Sequence, residues 1–421
     1  MSRILNMNCS HKTVALLFTL ACFTHPPLCS ANSDWPQWRG PDRTGVSKET
    51  GLQKSWPAGG PKRIWLYENA GEGYSGPAIV GGKLFTMGVR DGNECLLVLD
   101  ANTGKELWFA KIGPIFSEGH GNGPRGTPTV DGDRVYAMGS HGNLVCASIG
   151  DGKIIWQQSL SDLGGRVPHW AYAESVLVDG DQVICTPGGS KGALAALEKK
   201  TGKLLWQSAE FKEPAHYSSV IAADLNGVRQ YIQRTEKVIA SVASKDGKLL
   251  WTSPFPGRTA VVPTPIYRDG YVYVTAGYGA GCKLVKIGPS NEVTDVYENK
   301  VMKNHHGGVV LVGDYIYGHA DAGWTCQNFK TGEEVWNHRG FGKGAIAYAD
   351  GMLYCQDESS GTIALIEASP KAWQERGRFK LDPQSKIRSS GGRVWTHPVI
   401  SNGKLYLRDQ ELIYCYDIVK N

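Results

Sequence analysis

Short apolar runs, mostly of three to eight residues, follow one another along this chain from about Ile64 to Asp417, broken by Gly, Asp, Asn and Pro. No 3.6-residue period lasts long enough to compete with them, so the pattern predicts many short strands joined by tight turns. The unit repeats. A polar or Pro-bearing entrance leads into an apolar strand, a Gly/Asp turn, a second aromatic-rich strand, a third strand, and a polar hairpin that ends in Gly, three residues and Trp. The first copy runs Ser75–Val80, a turn at Gly81-Gly82, Lys83–Met87, Cys95–Leu99, Thr103-Gly104-Lys105 and Trp108. Second strands recur at Arg134–Met138, Gln182–Cys185, Tyr271–Val274, Tyr315–Tyr317, Met352–Tyr354 and Lys404–Leu407.

The hairpin acts as a ruler. It recurs as Asn102–Trp108, Gly150–Trp156, Lys200–Trp206, Lys245–Trp251 and Lys330–Trp336, with a degenerate copy at Pro61–Trp65, placing the tryptophans 43, 48, 50, 45 and then 85 residues apart. That period belongs to β-propeller blades. Openings at Ser75, Gly126, Glu174, Ser218, Pro263, Gly307, Gly344 and His397 count eight four-stranded blades in an all-β single propeller, with seven as the alternative. The last blade has three strands and no Trp, whereas Arg63-Ile64-Trp65 has no blade of its own. Pairing the two closes the ring and removes both open edges. Tyr297 and Phe379 replace Trp in the fifth and seventh copies, and the aromatic is expected to pack between adjacent blades.

Residues 1–31 read as a secretory signal: Arg3 and Lys12, an apolar run over 13–23 too short to span a bilayer, and small residues at Cys29-Ser30-Ala31. Lipidation of Cys22 is disfavoured because Thr19 stands where a Leu is usual, so the mature chain is expected to start at Asn32, secreted or periplasmic. Residues 32–60 are then an N-terminal extension and 61–421 the propeller. Loss of Arg3 and Lys12 takes the formal charge from +5 to +3, and no concentrated basic patch suggests nucleic acid. No transmembrane segment is expected. Seven of ten cysteines remain after export; Cys146, Cys326 and Cys415 share one strand position in different blades, which favours buried core residues over disulfides.

Leu99-Asp-Ala-Asn-Thr-Gly-Lys-Glu-Leu-Trp108 resembles the repeat of the PQQ-like β-propeller superfamily, which includes quinoprotein alcohol dehydrogenases and the propeller subunit of the bacterial outer-membrane barrel assembly machinery. Asp34–Asp42 with Thr44–Ser47 resembles the mature N-terminus of secreted bacterial members described as PQQ-binding-like. The resemblance implies pyrroloquinoline quinone (PQQ) with calcium in the dehydrogenases, together with a disulfide between adjacent cysteines, a Glu/Asn/Asp metal set and an Asp base. Here no two cysteines are neighbours, those side chains have no matching motif, and no Cys-x-x-Cys-His haem site exists.

Every blade enters from one rim, so residues before each first strand converge on the channel mouth. They are Arg125, His169, Trp170, Tyr172, Glu174, His216, Tyr217, Arg258, Asn304, His305, His306, Lys343, Trp395 and His397, including five of the eleven histidines. Cationic and aromatic groups together suggest an anionic or carbohydrate-like ligand, or a protein partner. Three functions follow. The first is a non-catalytic ligand- or partner-binding scaffold. The second is a PQQ-dependent dehydrogenase of alcohols or sugars, with Arg125 and Lys343 on the quinone carboxylates and Glu174 as base. The third is a polysaccharide lyase or hydrolase using His169, His216, Tyr217, His305 and Arg125. A metal variant is limited by His305-His306, which in an extended segment point to opposite sides, so that at most one joins a cluster. The glycine-rich strings Gly73–Gly76 and Gly277–Gly281 lack a helix setting and read as structural turns, and Trp35, Trp38 and Trp56 as packing on the outside or bottom of the ring.

Overall fold

The computed structural model describes Met1 and residues 33–420; the expected export signal lies outside them. Every regular element among the described residues is a strand, and the strands form eight antiparallel blades. Blade 1 is Ala78–Val80, Lys83–Arg90, Asn93–Asp100 and Glu106–Pro114. The innermost strands of blades 2 to 8 are Thr129–Asp131, Leu177–Asp179, Ile221–Leu225, Ile266–Arg268, Val309–Val312, Gly344–Ala349 and Val399–Ser401. Lys62–Tyr67 pairs antiparallel with Leu412–Asp417 and completes blade 8, so the N-terminal strand closes the ring as expected. The seven cysteines among the described residues are all buried and free.

The Gly-x-x-x-Trp cadence joins neighbouring blades. Four of the indoles lie on the glycine of the next blade's hairpin, Trp65 on Gly104, Trp108 on Gly152, Trp156 on Gly202 and Trp206 on Gly247, and Tyr297 does the same on Gly332. The aromatic N–H or O–H donates to a carbonyl of that next blade, from Trp65 to Ala101 O at 3.2 Å, Trp156 to Lys199 O at 3.0 Å and Tyr297 to Phe329 O at 2.9 Å. Glycine is required twice over. Gly152 has φ +75°, and a Cβ there would lie 2.6 Å from the Trp108 ring. Gly152→Ala is therefore expected to destabilise the protein by about 2–4 kcal/mol in guanidinium unfolding, from backbone strain plus overpacking.

Residues 33–47 run inside the ring, correcting the expectation that Trp35 and Trp38 pack on its outside or bottom. The segment enters beside the Asn402 turn, where Asn402 Oδ1 accepts from Ser33 N. Trp35 then exchanges two 2.8 Å backbone hydrogen bonds with Ile79 of blade 1, and Pro36 O accepts from Val130 N of blade 2. Trp38 Nε1–H donates to Thr264 at the entrance of blade 5. Arg39 donates to Val309 O of blade 6, and Arg43 to Ser175 O and Val176 O at the entrance of blade 3, at 2.5 and 3.1 Å. Val46–Ser47 adds to blade 7 as a parallel fifth strand. Glu49 returns to the same turn, accepting from Asn402 N and Gly403 N at 2.7 Å. The chain thus makes a hairpin plug that contacts the inner strands or entrances of seven blades. Only Trp56 packs as a wedge away from the channel, against Tyr354 and Phe379 of blade 7.

Candidate functional site

The plug stops short of one rim and leaves a cavity of about 260 Å³ at the channel mouth. Trp38, at the tip of the plug, is its floor. Its wall carries Tyr74, Glu118, His120, Arg125, Trp170, Tyr217, Tyr278, His305, His306, Trp395 and His397, with the smaller Ala173, Ser175, Ser219, Ala260, Val262 and Thr396 between them. Seven rings form a belt in consecutive contact: Tyr278–His305 at 4.3 Å, His305–His306 at 3.7 Å, His306–Trp395 at 4.8 Å, Trp395–His120 at 6.4 Å, His120–Trp170 at 6.2 Å and Trp170–Tyr217 at 5.8 Å. Most of these pairs are tilted or edge-to-face, the arrangement aromatic quadrupoles favour.

Of the fourteen rim residues expected from sequence, Arg125, Trp170, Tyr217, His305, His306, Trp395 and His397 line this cavity. The other seven do not. Tyr172 is buried between blades 2 and 3 with its hydroxyl on Pro187 O. Glu174 is buried too, accepting from Thr186 N at 2.7 Å and its hydroxyl at 2.8 Å, and burial raises its carboxyl to about 7. Asn304 donates to His319 O inside the sheet stack. His216 Nδ1 accepts from Val261 N at 3.0 Å, which leaves Nε2 as its protonated nitrogen. His169 and Arg258 are exposed outside the lining, and Lys343 stands behind His305. These residues sit at blade entrances but turn into the blades or outward, a choice the repeat register does not fix.

His305 and His306 both line the cavity, contrary to the expectation for an extended pair. The segment bends at His306 and Gly307 instead of continuing as a strand, so the two rings lie side by side. Tyr74 and Tyr278 come from the two glycine-rich strings read as purely structural; the glycines do make the turns, and Tyr278 itself has φ +55°. Trp38, Glu118 and His120 were also missed.

The charges are neutralised locally. Arg125 donates to Glu118 at 2.9 Å and to the carbonyls of Gly123 and Gly121 at 2.6 and 3.0 Å. Lys343 Nζ lies 3.0 Å from Glu358 Oε1 and 3.0 Å from His305 Nδ1. Because an ammonium only donates, His305 Nδ1 accepts and its Nε2–H points to the Tyr278 hydroxyl. Burial, then the Lys343 charge, pushes His305 down to about 3; burial, then the Arg39 charge, does the same to His397. His306 is held well below its ordinary value, chiefly by burial. His319, beside this group, is lowered to about 4 by burial and Lys343.

These histidines stay neutral when folded and gain protons near pH 6.5 when unfolded, so acidification favours the unfolded chain. Each should remove about 1.4 kcal/mol per pH unit below 6.5 until its folded pKa is reached. Glu174 works the other way, since its raised pKa makes the folded state lose stability as pH rises from 4.5 to about 7. Burial raises Glu49, Glu94 and Glu358 in the same sense as Glu174, whereas Glu106, Glu118, Asp179 and Asp350 are lowered and add to the histidine effect, so the histidines set the sign. Thermal unfolding is expected to drop steeply from pH 6.5 to 4.5, and His397→Gln to flatten that slope; a flat profile in the parent chain would contradict the assignment.

An eight-bladed ring of four-stranded blades with TGK–Trp hairpins defines a PQQ-like β-propeller. The family model described as "Outer membrane protein assembly factor BamB" matches residues 92–338, more than half of the chain, and the chain belongs to that family. It is 28% identical to tetrathionate hydrolase of Acidithiobacillus ferrooxidans over 233 residues, covering 51% of this chain and 44% of that protein. It is 25% identical to outer membrane protein assembly factor BamB of Burkholderia pseudomallei over 190 residues, covering 42% and 45%. The chain thus spans about half the length of these curated relatives. Among solved structures, BamB from Moraxella catarrhalis superposes with TM-score 0.61 at 14% identity, over 85% of this chain and 98% of that one. Quinohemoprotein alcohol dehydrogenase from Comamonas testosteroni gives 0.63 at 10% identity, over 93% and 81%. At these identities the superpositions establish the fold alone.

The mouth does not fit PQQ with calcium. The two cations expected to meet the quinone carboxylates are held by Glu118 and Glu358, the expected base Glu174 is buried in a blade, and no adjacent cysteines exist. Among the described residues no three His, Cys, Asp or Glu side chains converge as a metal cluster would require. Of the lyase set, Arg125, Tyr217 and His305 line the cavity, but His169 is exposed outside it and His216 is bonded to backbone.

Proposed function

We propose that this protein is exported after cleavage of residues 1–31 and works outside the cytoplasm as a non-catalytic binding propeller, taking a small ligand at the channel mouth. In this reading residues 32–60 are the extension that builds the cavity floor and 61–421 the ring. The observation that carries it is the cavity itself: an aromatic belt over a plugged channel, whose cations are already paired with carboxylates of the same chain. Such a concave, mostly apolar pocket with a few polar groups is what small-molecule sites look like. The relatives named as outer membrane protein assembly factors support the extracytoplasmic location and a scaffold role toward protein partners. No helix among the described residues is long and apolar enough to cross a membrane.

Expression of the full chain in a Gram-negative host tests the export half. A periplasmic product with Asn32 at its N-terminus is expected, and an uncleaved cytoplasmic product would contradict it. For the non-catalytic half, adding PQQ and calcium should give no dye reduction with alcohols or sugars; turnover above background would overturn the reading.

A further inference from the structure

Resting on the reading of the mouth as a ligand site, we propose that the cavity holds a neutral sugar, a pyranose ring of a small saccharide stacked on tryptophan and bound without cleavage. A pyranose has apolar C–H faces and a rim of hydroxyls that both donate and accept. Its complement is therefore flat aromatic surface plus neutral groups of mixed hydrogen-bonding character, without a bare charge.

The cavity provides both. Trp38 is the floor, and Trp170 and Trp395 stand on the wall. Trp38 and Trp395 are fixed by indole N–H bonds to Thr264 at 2.9 Å and Glu358 at 3.1 Å, so their faces are pre-oriented and little side-chain freedom is lost on binding. The polar groups are uncharged and amphoteric. The Tyr278 hydroxyl accepts the His305 N–H and keeps its own proton to donate. The Ser175 and Ser219 hydroxyls each accept a backbone N–H, from Thr127 at 2.8 Å and Ser175 at 3.0 Å, and keep a proton too. His306 Nδ1 is buried with no hydrogen-bond partner, an arrangement native proteins avoid unless something else satisfies it.

Charge argues against the other ligand classes. A cation would face Arg125 on the wall, with Lys343 behind His305 and, beneath the floor, the buried Arg39, whose charge already disfavours protonation of His397. An anion would meet Glu118 on the wall, and the two cations that could have received it are occupied, Arg125 by Glu118 and Lys343 by Glu358 behind the lining. The same pairing speaks against hydrolysis, which uses one carboxylic acid and one free carboxylate across the glycosidic bond.

Calorimetric titration of the mature chain with cellobiose, maltose and diacetylchitobiose, alongside digalacturonate and PQQ with calcium, tests the proposal. At least one neutral disaccharide is expected to bind saturably, Trp170→Ala to weaken it about tenfold or more, and Tyr278→Phe to weaken it measurably, with unchanged thermal unfolding in both. Trp170 lies on a rim loop and Tyr278→Phe removes a single oxygen, so at least one variant keeps its fold. Binding of digalacturonate or PQQ alone, sensitive to Trp170→Ala, would overturn the sugar assignment and leave the pocket standing. Binding of none of the five probes would overturn both.

Discussion

Arg43→Ala is expected to destabilise the protein by about 3–5 kcal/mol in guanidinium unfolding, because charge-assisted hydrogen bonds are lost and buried carbonyls are left without partners. Arg43 is 4% exposed, donates to Gln37 Oε1 at 2.9 Å, and ties the plug to Ser175 O and Val176 O of blade 3. Its positive φ of 55° shows the backbone bent to deliver it. Arg39 makes the matching tie to blade 6, with its other bond to Thr44 O inside the plug. Arg39→Ala with Arg43→Ala should therefore cost more than either alone and should release Trp38 from the floor, seen as increased quenching of tryptophan by acrylamide. A double variant within 1 kcal/mol of the parent would mean that the segment is an ornament on a self-sufficient ring.

Trp65→Ala is expected to be comparably severe, about 3–5 kcal/mol for deleting a large buried aromatic. This indole belongs to the strand that completes blade 8; it lies on Gly104, packs on Tyr406 at 6.0 Å between ring centres and donates to Ala101 O. It therefore joins blade 8, which the strand Lys62–Tyr67 completes, to blade 1. Loss of the closure should also expose a strand edge, so the variant should self-associate as it unfolds, which light scattering would detect. Trp65→Phe should recover much of the stability but lack the N–H bond. If Trp65→Ala unfolds like the parent, closure rests on strand pairing rather than on the indole.

The ring was legible because its signal repeats. Gly104, Gly152, Gly202 and Gly247 each need both a positive φ and a bare Cα under a tryptophan, so the cadence is kept at those copies, and its period fixes blade count, register and closure even where Tyr297 or Phe379 replaces the Trp. The mouth was half legible, since blade entrances do converge there. What the repeat could not tell was the direction of each side chain. Glu174 and Asn304 sit at entrances but satisfy buried backbone and hydroxyl groups, whereas Trp170 and Trp395 face the cavity.

The plug was invisible for a different reason. Arg39 and Arg43 bind main-chain carbonyls of strands more than a hundred residues away, and carbonyls leave no mark in sequence. The neutralisation of Arg125 depends on Glu118, seven residues earlier in an irregular loop. Without it, the entrance cations read as anion receptors; with it, they become the frame of a neutral pocket.

The most direct test of that pocket is an indole N–H spectrum of the protein, in which all thirteen tryptophans report, recorded during titration with the disaccharide that binds most tightly. Trp38, Trp170 and Trp395 are expected to shift together and saturate while the other ten stay in place. Shifts confined to the inter-blade tryptophans, or no shift at saturating probe, would contradict a ligand site at the channel mouth.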